Sequence, residues 1–228
     1  MSLELAPAGR LRAAINLGNP VLAQRHADGR IGGVTAALAR ALGRQHGLPV
    51  DLHPFDTAGA AFGALASGAC DLGFLARDPG RAEQVAFTAP YVVIEGTCLV
   101  RADSPITGIA SIDAPGLRIA AGRNSAYDLH LSRTLRHATL IHAESSEAAL
   151  DLFTREGLDI VAGVRQPLEA YAAAHPGYRV LPGGFMRIEQ AMAVPRGRAA
   201  ALPVVEAFLA EMKRNGAVRF GLDASGQC

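Results

Sequence analysis

The chain alternates between two hydrophobic periodicities along most of its length, and this alternation most constrains its fold. Short aliphatic runs, such as residues 11–17, are followed by segments in which aliphatic residues recur every three or four positions, such as residues 31–42. The alternation predicts strands that are each followed by a helix and that pair in parallel sheets. Because the pattern restarts near residue 100, it indicates two similar α/β halves.

The predicted elements follow from these two periodicities and from the turn residues between them. Strands are predicted at residues 11–17, 50–53, 71–75, 91–100, 117–121, 139–142, 158–163, 178–181 and 190–194. Helices are predicted at residues 31–42, 60–66, 126–135, 145–155, 167–175 and 199–215.

The composition is that of a soluble globular protein and excludes several classes. The 228 residues are 50% hydrophobic and 19% charged, with a formal net charge of +1, which argues against a nucleic-acid partner. No apolar run reaches the roughly 18 residues of a membrane span. Residues 1–10 lack the apolar segment of a signal peptide, so we expect either that a leader has been removed or that the protein stays in the cytoplasm.

The three cysteines indicate neither a metal site nor a disulfide framework. Cys70, Cys98 and Cys228 match no zinc-binding spacing, and an odd number cannot pair completely within one chain. Cys70 and Cys98 lie in apolar surroundings and are predicted to be small core residues.

Four passages of the chain resemble, in their order and spacing, the family 3 periplasmic solute-binding proteins, which are the polar amino acid receptors of ABC importers. The passages are residues 32–43 (GGVTAALARALG), 65–73 (LASGACDLG), 81–91 (RAEQVAFTAPY) and 158–163 (LDIVAG). The third is the most specific, because the family places an arginine before Phe-Ser-x-Pro-Tyr.

The resemblance implies an α/β, two-lobed periplasmic binding protein-like fold of type II. Each lobe would be a mostly parallel sheet flanked by helices, with two crossing strands near residues 95–101 and 188–194. Lobe 1 would comprise residues 1–97 plus 190–228, and lobe 2 residues 98–189. A monomeric periplasmic receptor would capture a small carboxylate in the interlobe cleft by hinge closure and then dock on an ABC permease. No cofactor or metal is implied.

Arg81 is the leading candidate for binding that carboxylate. Its guanidinium offers a planar fork that matches a carboxylate bidentately, and the resemblance gives the arginine at this position that role. From the residues alone, a surface position as partner of Glu83 is the favoured explanation of Arg81, and the resemblance reverses this preference.

Ser125 is the second candidate, in the loop that precedes a predicted helix. Helix N-termini favour anions, and the resemblance makes Ser125 a donor to the carboxylate. Ser125 or Asn124 also suits the role of helix N-cap, and both roles are compatible. The predicted ligand-binding set also contains Asn19, Ala76, Arg77, Ala126, Val164 and Arg165.

Two departures from the family pattern affect the expected ligand. Val164 stands where amino acid receptors carry an Asp that pairs with the ligand α-ammonium, and Arg165 follows it. Residues 75–81 (LARDPGR) are shorter than the family's hydroxyl-rich stretch, so that Arg77 is a candidate cleft residue. Arg77 next to Asp78, and Arg165, are also explained as surface residues.

An arginine-rich cleft without an amine partner favours an acid that lacks an α-amine, or a dicarboxylic acid, over an ordinary amino acid. Asp78, Glu95 and Glu189 are acidic groups that would restore amine recognition. An alternative is an enzyme resembling cyclohexadienyl or arogenate dehydratases, with Glu95 or Glu189 as a general acid. Another is a sensory ligand-binding module. No nucleophile elbow, P-loop or HExxH motif supports an enzyme, and the resemblance makes a binding protein the prediction.

Overall fold

A computed structural model describes residues 2–223, with only the backbone described at Ser2 and Leu3. Its strands are β1 (Leu11–Asn16), β2 (Gln24–Arg25), β3 (Ile31–Gly32), β4 (Val50–Phe55), β5 (Leu72–Ala76), β6 (Val85–Arg101), β7 (Arg118–Gly122), β8 (Thr139–Ala143), β9 (Ile160–Val164), β10 (Tyr178–Val180) and β11 (Met186–Pro195). Its α-helices are α1 (Ser2–Leu5), α2 (Val34–Gln45), α3 (Ala58–Ala66), α4 (Ala126–Thr134), α5 (Ser146–Arg155), α6 (Arg165–Ala174), α7 (Leu202–Arg214) and α8 (Ala217–Asp223).

The chain divides into two compact units. Residues 2–92 and 189–223 form unit 1, and residues 93–188 form unit 2. Strands β6 and β11 each contain one of the two boundaries. The predicted lobe boundaries, after residues 97 and 189, lie near these positions, and the lobes themselves stay a prediction.

The sheet of unit 1 is built around β1. Strand β1 pairs in parallel with β4 on one side and β5 on the other, and β11 pairs antiparallel to β5 with Gln190 opposite Ala76. Helix α3 packs on β1 and β5, and Leu65, Cys70 and Val85 form part of the core there. Because β1 and β5 are parallel neighbours, the loops that follow them lie at the same edge of the sheet.

The sheet of unit 2 is built around β7 in the same way. Strand β7 pairs in parallel with β8 and β9, whereas β9 runs antiparallel to β6 with Val164 opposite Gly96. Phe153 of α5 and Leu158 are buried in the core of this unit. The loops that follow β7 and β9 therefore share one edge of the sheet.

Gly122 allows the loop after β7 to pack closely on the start of α5. A Cβ atom at this position would lie 2.6 Å from the backbone nitrogen of Ser146. Any larger residue would push the loop away from α5, so glycine fixes the loop's approach.

The elements predicted from periodicity are present, with shifted ends. The largest shift is in β6, which begins at Val85 rather than near residue 91 and passes through Pro90. Proline lacks the N–H group that a sheet hydrogen bond needs, so a strand that continues through Pro90 is not expected from local sequence. The short hairpin of β2 and β3 and the helix α8 were not predicted. None of the helices in residues 2–223 is both long and apolar enough to cross a membrane.

The prediction for two of the cysteines is confirmed. Cys70 and Cys98 are free and buried. Cys228 lies outside the described residues.

Candidate functional site

Arg81 lies in unit 1, in the loop that follows β5. The side chain of Asp78 starts the turn, because its Oδ1 accepts hydrogen bonds from the N–H groups of Gly80 (2.9 Å) and Arg81 (3.4 Å). A 3₁₀ turn, Arg81–Glu83, then leads into β6. This geometry directs Arg81 back over the end of β5, where its Nη1 donates to the carbonyl of Ala76 at 3.3 Å.

The Arg81 side chain is buried rather than on the surface. The residue is 3% exposed, which excludes the surface position expected for a simple partner of Glu83. Its Cζ lies 5.7 Å from the ring centroid of Phe62 in α3, a distance at which a guanidinium is attracted to the aromatic face. Burial lowers the pKa of Arg81 to about 10, while Asp78 acts in the opposite direction. Arg81 therefore keeps its positive charge at neutral pH.

Arg77, in the same loop, has a carboxylate partner. Its Nη1 lies 3.0 Å from Oε2 of Glu189, and its backbone N–H donates to the Glu189 carbonyl at 2.8 Å. Both side chains are 47% exposed. The charge of Arg77 is thus balanced within unit 1 by Glu189, one of the acidic residues considered for amine recognition.

Asn19 lies in the loop that follows β1, and Ala76 is the last residue of the neighbouring strand β5. Asn19 is 8% exposed, and its carbonyl accepts the N–H groups of Leu22 and Ala23. Its side-chain Oδ1 is buried and accepts no hydrogen bond from the described residues. A buried acceptor without a donor is costly, so this oxygen is suited to a donor from outside the chain.

In unit 2, the predicted residues Asn124, Ser125 and Ala126 lie together where β7 leads into α4. Ser125 is the N-cap of α4, because its Oγ accepts the N–H of Asp128 at 3.1 Å. Asn124 has a φ of +58°, in the left-handed region, and its N–H donates to Oδ2 of Asp128 at 2.8 Å. Ala126 is the first residue of the helix. The structure therefore brings these three residues together at a helix N-terminus.

Val164 and Arg165 lie where β9 leads into α6. Val164 is the residue before the helix, and Arg165 is its first residue. Arg165 donates to Glu95 through Nε, to Glu169 through Nη1 at 3.1 Å, and to the Gly183 carbonyl through Nη2 at 2.8 Å. Like Arg77, Arg165 is therefore balanced by carboxylates of its own unit, one of them the acidic candidate Glu95.

The family of the chain follows from its match to a family model. The model described as bacterial extracellular solute-binding proteins, family 3, matches residues 11–219. The chain belongs to this family. It is a solute-binding protein. This confirms the prediction of a binding protein rather than an enzyme. The dehydratase alternative is not retained.

Solved structures similar to this solute-binding protein have the same fold. A mutant of ArgBP from T. maritima has a TM-score of 0.84 at 19% identity, with 100% of each chain covered. The solute receptor for L-cysteine of Neisseria gonorrhoeae has a TM-score of 0.84 at 21% identity, covering 98% of this chain and 92% of that one. A histidine kinase sensor domain has a TM-score of 0.80 at 20% identity, covering 93% of both chains. The predicted α/β fold of the periplasmic binding protein type is confirmed. No curated protein with detectable sequence similarity was found.

Several residues that contact the predicted site residues of the solute-binding protein were not predicted from the sequence. The spacing of Ser125 and Asp128 is that of a capping box, so Asp128 was detectable. Phe62 carries no signal beyond helical periodicity. His142, which contacts Asp128 from a different element, carries no sequence signal at all.

Proposed function

We propose that this solute-binding protein binds a small carboxylic acid and that the Arg81 guanidinium binds its carboxylate. The observation that carries the proposal is the buried, charged Arg81 side chain, which is held by the Ala76 carbonyl and the Phe62 ring. A guanidinium fixed in this way loses little conformational entropy on binding, and its fork suits a carboxylate.

The N-terminus of α4 is proposed as the second contributor to carboxylate affinity. Backbone N–H groups in the first turn of a helix lack partners within the helix and carry the positive end of its dipole. Ser125 uses its Oγ as the acceptor for Asp128, so capping does not consume its hydroxyl proton. The Ser125 hydroxyl also has a hydrogen bond with the Tyr127 side chain, which a carboxylate oxygen would share or displace. The capping role and the binding role proposed for Ser125 are therefore compatible.

For the ligand class we propose an acid without an α-amine, including dicarboxylic acids. Val164 provides no negative charge at the end of β9. The acidic side chains considered as replacements are already engaged, Glu95 by Arg165 and Glu189 by Arg77. Asp78 is engaged by backbone N–H groups. An ammonium group would have to compete with these contacts, and a buried ammonium without a partner is costly.

An ordinary amino acid is the second candidate, and one observation favours it. The buried Oδ1 of Asn19 and the buried Oε1 of Gln166 accept no hydrogen bond within residues 2–223. Both acceptors are suited to ligand N–H donors. Two of the similar structures are titled as complexes with L-arginine and with lysine.

A thermal-shift panel tests the proposal and separates the two candidates. The panel contains the twenty standard amino acids, and succinate, glutarate and lactate as amine-free acids. An acid at 100 times its Kd adds about 2.7 kcal/mol to the unfolding free energy. For a chain of this length that is a rise in melting temperature of roughly 5–10 °C. We expect this rise with at least one amine-free acid.

Succinamide is the matched control, because it has the shape of succinate without carboxylates, and it should give no shift. Shifts confined to amino acids would overturn the amine-free proposal and favour the second candidate. The absence of any shift across both sets, at millimolar concentrations, would argue against carboxylate binding itself.

An ABC permease as partner and a periplasmic location complete the proposal. The family is described as extracellular, and one similar structure is titled as the substrate-binding protein of an amino acid ABC transporter. The sensory alternative is supported by the likeness to a histidine kinase sensor domain. Capture of the purified chain by its permease in detergent, enhanced by the acid that raises the melting temperature, would favour the transport role.

A further inference from the structure

The loop between β7 and α4 is held by one buried carboxylate. Asp128 is 3% exposed, and its two oxygens have separate partners. Oδ2 accepts the N–H of Asn124 at 2.8 Å, and Oδ1 lies 2.6 Å from Nδ1 of His142. The backbone N–H of Asp128 donates to Ser125 in return. Asp128 thus contacts both of the polar residues that are proposed for this part of the binding site.

This arrangement differs from an ordinary helix cap. In a capping box, the third helical residue reaches back to the N–H of the N-cap itself. Here the N–H of Ser125 is already used by the carbonyl of Gly122 at 3.1 Å. Asp128 instead reaches one residue further, to Asn124, whose left-handed φ of +58° is unfavourable for most residues. The carboxylate therefore stabilises a loop conformation that the helix does not require.

His142 fixes the carboxylate from the neighbouring strand. It lies in β8, which pairs with β7 so that His142 is opposite Ala121. The hydrogen bond of its ring to Oδ1 leaves Oδ2 directed at Asn124. Since the His142 side chain is 37% exposed, it is not needed to fill the core.

We infer that Asp128 is a positioning residue for ligand binding, held in orientation by His142. It presets Asn124 and Ser125 for the carboxylate rather than touching the ligand. The inference rests on the proposed function, because the loop is a binding element only if the protein binds a carboxylate.

The test compares Asp128→Ala and Asp128→Asn with a matched control elsewhere in unit 2. Asp113 also holds a loop, accepting the backbone N–H groups of Arg136, His137 and Ala138 at 2.8–2.9 Å, but it is not among the proposed ligand-binding residues. Calorimetric titrations with succinate and with L-glutamine measure affinity, and thermal unfolding measures stability.

We expect Asp128→Ala to weaken binding about 10- to 100-fold, the range seen when outer partners that orient metal ligands are removed. Asp128→Asn should restore most of the affinity, because its amide oxygen still accepts the Asn124 N–H. His142→Ala should have an intermediate effect, and Asp113→Ala none on affinity. Unchanged affinity in Asp128→Ala, or equal losses in Asp128→Ala and Asp113→Ala, would overturn the inference, and unchanged affinity in His142→Ala would overturn the role of His142.

A second readout needs no ligand. The amide proton of Asn124 donates to a carboxylate, so its NMR resonance should lie downfield and move upfield in Asp128→Ala but not in Asp113→Ala. If the resonance moves in neither variant, the positioning role is wrong. The absence of a thermal shift across the whole panel of acids would instead count against the proposed function, and the NMR result would still decide whether Asp128 sets the loop.

Discussion

Arg81→Met is expected to weaken binding of the carboxylic acid by about two to three orders of magnitude, because removing one partner of a buried charge pair costs 2–5 kcal/mol or more. Methionine fills a similar volume without a charge, and burial of the Arg81 charge is itself costly. Asp78 is also buried and interacts with the Arg81 charge, so the variant removes one partner of this pair, and the melting temperature of the ligand-free protein should fall. Titration of the variant with succinate, or with the amino acid that gives the largest thermal shift, measures the loss.

Arg77→Met is the matched comparison for Arg81. The two arginines lie in the same loop, but Arg77 is half-exposed and paired with Glu189. Its removal should weaken binding less than tenfold, since exposed ion pairs contribute little. If both variants lost affinity equally, general electrostatic attraction to the loop would explain binding better than a specific contact with Arg81.

Asp71→Ala is expected to be the most destabilising single substitution considered in unit 1. Asp71 is 1% exposed and receives a two-pronged contact from Arg12, with Nη2 to Oδ1 at 2.7 Å and Nε to Oδ2 at 2.9 Å. Arg198, in the 3₁₀ segment Arg196–Ala201, also pairs with Oδ1. Without the carboxylate, Arg12 and Arg198 keep the carbonyls of Gly68 and Cys70 as partners but lose their counter-charge, which costs about 3–5 kcal/mol. Urea unfolding at neutral pH measures this loss.

The same carboxylate predicts an acid dependence of stability. Burial opposes ionisation of Asp71, but hydrogen bonds from Arg12 and Arg198 outweigh it and lower its pKa. A lowered pKa in the folded state means that the contribution is complete above the unfolded value of about 3.9 and is lost as the pH falls through the folded value. The stability difference between the unmodified protein and Asp71→Asn should therefore shrink below about pH 4.

Asp51→Asn is the control for Asp71. Asp51, in β4, also pairs with an arginine near β1, but its pair with Arg10 is exposed. Its effect on unfolding should be small at any pH. A large effect there, or a pH-independent loss in Asp71→Asn, would contradict the assignment of the stability to the buried cluster.

Local features of the sequence predicted most of the fold. Aliphatic periodicity is a property of neighbouring residues, so the strand at Leu11 and the helix after Ser125 were both detectable. The two-residue strands β2 and β3 are too short to show a period, which explains why they were missed.

The electrostatics of the site depend on residues that are distant in the sequence and were less predictable. Glu189 lies 112 positions from Arg77, and Glu95 lies 70 positions from Arg165. Sequence reasoning identified all four residues as candidates, but only the fold shows that they form two separate pairs. The expected excess of positive charge is therefore reduced, and the case for an amine-free acid depends on Val164 and on the engagement of the acidic groups.

The buried cysteines provide one unreactive thiol in each unit, Cys70 in unit 1 and Cys98 in unit 2. Burial raises the pKa of both thiols, and only the thiolate reacts with alkylating reagents. Alkylation therefore requires a local opening that brings the thiol into water. In a Cys228→Ser background, mass spectrometry of the two labelled peptides would time the opening of each unit within one sample, without any introduced probe.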